Sequence, residues 1–84
     1  MTDAEFDLLD ELYFVQSFQD LKRSLHWPDH TFREVLHAMI SKGWVKVLRT
    51  QDEEIPLEEA VFEENYTRYY YLATKAGLLA HNSK

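Results

Sequence analysis

The stretch that most constrains the fold is residues 17–45, SFQDLKRSLHWPDHTFREVLHAMISKGWV. Its second half places Phe32, Val35, Leu36, Met39 and Ile40 at i, i+3, i+4, i+7 and i+8. That spacing lines all five along one side of a helix and predicts that this side is buried. The helix should open at Pro28 or Asp29 and run to Lys42. Gly43 should end it, because glycine takes the left-handed conformation of a C-terminal cap at little cost. The opposite side carries His30, Glu34, His37 and Ser41, flanked by Thr31 and Arg33. A shorter helix comes first: Ser17 is placed to cap it, Phe18, Leu21 and Leu25 face inward, and Lys22 and Arg23 face out. His26, Trp27 and Pro28 make the tight turn between the two, with Trp27 plugging the core beneath it. Residues 44–50, WVKVLRT, then alternate as a strand does.

On either side of this stretch the chain is simpler. Residues 2–15 are expected to form a first helix, opened by a capping box of Thr2 and Glu5. Phe6, Leu9, Leu12 and Tyr13 form its inward stripe, flanked by Leu8 and Val15, while Asp7, Asp10 and Glu11 face water. Residues 51–65, QDEEIPLEEAVFEEN, form a long acidic connection with a helix-start signal at Pro56, Glu58 and Glu59. Leu57, Ala60 and Val61 share a helical side there. The apolar Ile55, Leu57, Val61 and Phe62 either pack back on the domain or bind a partner. Residues 66–73, YTRYYYLA, read as a second long strand. Thr74 should cap a short final helix over 75–81, in which Gly77 permits close packing.

Composition removes several classes of function. The 84 residues include no cysteine, so disulfides, thiolate catalysis and cysteine-ligated zinc are excluded. Four histidines are present, but no spacing brings three or four ligands together, so no metal site is expected. There is no nucleophile motif and no phosphate-cradling glycine loop, so neither an enzyme nor a cofactor is expected. No apolar run approaches the roughly 20 residues of a membrane span. The N-terminus is acidic and lacks the basic start of a secretory signal, which points to a cytoplasmic protein. Net charge is −6, from 15 acids and 9 bases. Residues 1–16 hold five of the acids and 51–65 hold seven, with no base in either block, so the rest of the chain is mildly basic.

The element order is helix, two helices about a tight turn, strand, connection, strand and closing helix. From Phe18 to Val45 the chain resembles the small MarR-like winged helix-turn-helix DNA-binding domains of bacterial and archaeal regulators. The resemblance is carried by Phe18, Leu21, Leu25, Trp27, Phe32, Leu36, Met39 and the run Gly43-Trp44-Val45, and near the end by Tyr71, Ala73-Thr74 and Gly77. It covers about two-thirds of the chain. It implies an α+β winged helix-turn-helix fold: a three-helix core, a β-hairpin wing over the 51–65 connection, and a short C-terminal helix.

The resemblance further implies a transcriptional regulator that reads the major groove of double-stranded DNA with helix 28–42. Thr31, Arg33 and His37 would be the base contacts, and Lys22, Arg23, Lys42, Lys46 and Arg49 the phosphate contacts. A homodimer is expected, because one such unit rarely supplies enough affinity. In this chain His26 stands where the family has a turn glycine, and Pro28 where it has a Ser or Thr cap. The family's short basic wing is replaced by a long acidic one. That last difference supports an alternative, a protein–protein module that docks through Ile55, Leu57, Val61 and Phe62 without binding DNA.

Overall fold

The computed structural model describes residues 1–83; the side chain of Leu57 lies outside the described set. The elements are α1 (Asp3–Glu11), β1 (Gln16–Ser17), α2 (Phe18–Leu25), α3 (Asp29–Ser41), β2 (Val45–Leu48), β3 (Glu54–Ile55), α4 (Phe62–Asn65), β4 (Tyr70–Ala73) and α5 (Lys75–Asn82). Single 3-10 turns at Leu57–Glu59 and Tyr66–Arg68 flank α4. The fold is α+β, with one antiparallel sheet of four strands in the order β1-β4-β2-β3.

Local chemistry accounts for the helix starts. Thr2 and Glu5 make the capping box, and Ser17 and Asp20 make a second one that the spacing of Ser17 alone did not announce. Hydrogen bonds from the Ser17 cap hold the Asp20 carboxyl below its usual range. The Thr74 side chain accepts from the Gly77 N–H and caps α5. α3 has no side-chain cap; the Pro28 carbonyl instead accepts from Thr31 and Phe32 at 3.0 and 3.3 Å. Gly43 takes φ +78 just past the end of α3, the left-handed geometry expected of it.

His26 also has positive φ, at 55°, closing α2 with its N–H on the Lys22 carbonyl at 3.1 Å. A side chain there is strained. His26→Gly is therefore expected to stabilise the domain by about 1 kcal/mol. A urea-melt midpoint that fell with the substitution would contradict this.

The core is built from Leu8, Leu9, Leu12, Phe18, Leu21, Phe32, Leu36 and Met39 on the helices, closed by Val45, Val47, Ile55, Phe62, Tyr71 and Ala73. The inward side of α3 follows its spacing in part: Phe32, Leu36 and Met39 are fully buried, while Val35 and Ile40 are half-buried at the edge of the core. Trp27 packs on Phe32 with ring centroids 4.9 Å apart, the plug expected beneath the turn. Tyr71 is fully buried and donates its hydroxyl to the Tyr66 carbonyl at 2.6 Å; burial pushes its phenol well above the usual range.

Three expectations are corrected. The first helix ends at Glu11, not near Val15, because the chain must straighten to pair β1 with β4. Tyr13 thereby leaves the buried stripe and is 40% exposed, while Leu8, expected at the margin, is fully buried. The two long strands are also shorter than their sequence runs, at 45–48 and 70–73. They pair directly, Val45 with Ala73 through Leu48 with Tyr70.

The third correction concerns the acidic connection, which is not one extended loop. It first returns along β2 as β3, pairing Val47 with Ile55, and then winds through α4 toward β4. Ile55 and Phe62, each 5% exposed, enter the core, so burial removes both as partner-binding candidates. Val61 remains 54% exposed. Leu57, the fourth candidate, has its side chain outside the described set.

Candidate nucleic-acid interface

The outward side of α3 is the surface to which the sequence assigns function. It presents His30, Glu34, His37 and Ser41 as exposed side chains, with Thr31 and Arg33 half-buried at its margins. The helix positions them as its period requires, because burying Phe32, Leu36 and Met39 leaves the opposite wall free.

A neighbour that the sequence did not reveal lies against this wall. Phe62 of α4 meets the His37 ring at a centroid distance of 5.9 Å, and Glu63 carries its Oε2 to 3.6 Å from Arg33 Nε. The acidic connection thus lies beside α3 and does not project away from it. No local signal foretells this pairing, since Arg33 and Glu63 are thirty positions apart.

The same arrangement recurs at every cation assigned to DNA. Lys22 pairs with Asp29, Arg23 with Asp20, Lys42 with Glu5, Lys46 with Glu54 at 3.7 Å and Arg49 with Glu53 at 2.6 Å. Among the described residues, Arg68 and Lys75 are the side-chain cations outside an ion pair. Five of the six pairs hold two partly exposed side chains, and such pairs contribute about 0–1 kcal/mol. Parting those side chains therefore costs little in itself.

Lys42 differs. Its partner Glu5 is 6% exposed, and its own ammonium sits 4.7 Å over the Trp44 ring. That lysine joins the end of α3 to the start of α1 and is the least available of the phosphate candidates.

Elsewhere, α5 is fastened to α1 by polar and aromatic contacts. The His81 ring stacks on Phe6 at 4.2 Å, its Nδ1 lies 2.9 Å from the Tyr13 hydroxyl, and its Nε2 lies 3.5 Å from the Asp10 carboxylate. An open apolar cleft lined by Met1, Trp44, Ala80 and Ser83 contains none of the candidate residues. Among the described residues no group of three or more His, Asp or Glu could hold a metal ion. Among the described residues no helix is long and apolar enough to cross a membrane. No protein-family model matches the chain, and neither a curated protein nor a solved structure matches it.

Proposed function

We propose that the chain is a winged helix-turn-helix domain of MarR-like type that binds double-stranded DNA in the cytoplasm, as a transcriptional regulator working as a homodimer. The observation that carries this reading is the two-sided character of α3. One wall buries Phe32, Leu36 and Met39, and the other offers Thr31, Arg33 and His37 alongside the exposed His30. The order of elements supports it: two helices about a tight turn, a hairpin and a closing helix. In this reading α3 enters the major groove, Arg33 meets a guanine edge, Thr31 a thymine methyl or a phosphate, and Lys46 and Arg49 of the hairpin meet phosphates.

Binding of a labelled mixed-sequence duplex, titrated against salt, tests it. Affinity should fall steeply with salt, Arg33→Ala should weaken it about tenfold, and Lys46→Ala should reduce the salt slope by about one. Absence of binding at low salt favours a second reading, a protein-interaction module. That reading draws support from the −6 net charge and from Val61, 54% exposed between the buried Ile55 and Phe62.

A further inference from the structure

We infer that Glu63 of α4 is a built-in competitor of double-stranded DNA for Arg33 of α3, an inference that rests on the DNA-binding proposal above. Phe62 anchors the segment: it is 5% exposed, and its ring lies 5.8 Å from that of Tyr66 and 5.9 Å from that of His37. The Asn65 side chain and backbone N–H both bond the Val61 carbonyl, at 3.1 and 3.0 Å, which fixes the turn. Glu63 follows the anchor directly and carries its carboxylate to Arg33 Nε.

Because Phe62 is held in the core, Glu63 can swing its side chain but cannot leave the neighbourhood. A guanine edge that takes Arg33 brings the flanking phosphates close to the carboxylate it has displaced, and that like-charge approach weakens binding. Glu34, exposed and next to Arg33 on α3, adds to the same field. The pair itself is weak, with side chains 39% and 66% exposed, so it acts as a competitor and not as a lock. A cationic side chain on a partner protein that engaged Glu63 would free Arg33 for DNA.

The test compares wild type, Glu63→Gln, Arg33→Ala and the double variant on the labelled duplex at low salt, with melting curves to confirm folding. Asp7→Asn, an exposed acid on α1, controls for net charge alone. Glu63→Gln should tighten binding about three- to tenfold and steepen the salt slope by about one. The gain should vanish on the Arg33→Ala background, whereas the smaller gain of Asp7→Asn should persist there. Equal binding by wild type and Glu63→Gln, weakened in both by Arg33→Ala, overturns the competitor and leaves the DNA reading intact. Failure of every variant to bind overturns both.

Discussion

Gly77→Ala is expected to destabilise the domain by about 3 kcal/mol and to lower its melting temperature by at least about 10 °C. In a helix, alanine is ordinarily better than glycine by roughly 1 kcal/mol, so propensity alone gives the opposite sign. Packing decides the outcome. A Cβ on Gly77 would lie 2.2 Å from the Trp44 carbonyl oxygen, 3.0 Å from its carbon and 3.2 Å from Leu9 Cδ2. The first two atoms are backbone and have no rotamer to yield.

That stretch of backbone is also held from both sides. The Trp44 N–H donates to the Met39 carbonyl at 2.9 Å, and the Trp44 carbonyl accepts from the Thr74 N–H at 2.9 Å. Thr74 further donates its hydroxyl to the Gly43 carbonyl at 2.6 Å. α5 would have to lift away from β2, loosening its contacts with Leu9 and the Thr74 cap. Ala76→Gly, at an exposed position of the same helix, is the matched control and should cost about 1 kcal/mol from propensity alone. A Gly77→Ala protein as stable as wild type would remove the close contact from the account.

Gly77 is also a case in which the sequence was sufficient. A glycine inside a capped amphipathic helix has few explanations other than a near backbone neighbour. The features legible in this way are local. They are the α3 period, the Thr2 capping box, the Ser17 and Thr74 caps, the Gly43 stop and the Trp27 plug, each decided by residues within one or two helical turns. Features that failed are those set by distant partners. β1 is two residues long and has no period to detect; pairing with β4 creates it, and the same pairing cuts α1 short and exposes Tyr13. The 51–65 run leaves open whether its apolar residues pack back or bind a partner; tertiary folding decides for Ile55 and Phe62, which enter the core through β3 and α4, elements too short to carry a period.

The candidate site divides along the same line. Thr31, Arg33 and His37 lie on the margin or the exposed wall of α3, as the period requires. Their neighbours on α4, and the carboxylates paired with Arg33 and Lys42, depend on tertiary folding that a one-dimensional charge count does not contain, whereas Arg23–Asp20 and Arg49–Glu53 are pairs three and four positions apart. Lys42 shows the consequence most clearly. Its sequence neighbours Ser41 and Gly43 suggest a free surface cation, whereas its ammonium is committed to a carboxylate thirty-seven positions earlier.

That carboxylate gives the second large effect. Glu5→Gln is expected to cost about 2 kcal/mol near neutral pH, with the difference from wild type shrinking in acid. Glu5 is 5% exposed and serves two purposes: Oε1 accepts from the Thr2 N–H at 2.9 Å to complete the capping box, and Oε2 accepts from the Lys42 ammonium. Burial pushes the Glu5 carboxyl upward, but the hydrogen bonds from Lys42 and Thr2, with the lysine charge, outweigh it and leave the group below its usual range. A carboxyl lowered on folding contributes stability that is present above its unfolded value and is lost as pH falls through its folded one. Wild type should therefore lose its advantage over Glu5→Gln as pH falls below the usual glutamate value of about 4.3 and on through the lower folded one, where the carboxyl becomes neutral like the amide. Lys42→Met should reproduce part of the neutral-pH loss, because it leaves Glu5 buried without its cation. The loss is limited because Lys42 is 45% exposed, so the charge it leaves behind can draw water. Urea midpoints for the three proteins between pH 3 and 8 decide the matter. A Glu5→Gln deficit that stayed constant across that range would mean that the side chain acts through its shape and cap, and that the ion pair with Lys42 does not fasten α1 to α3.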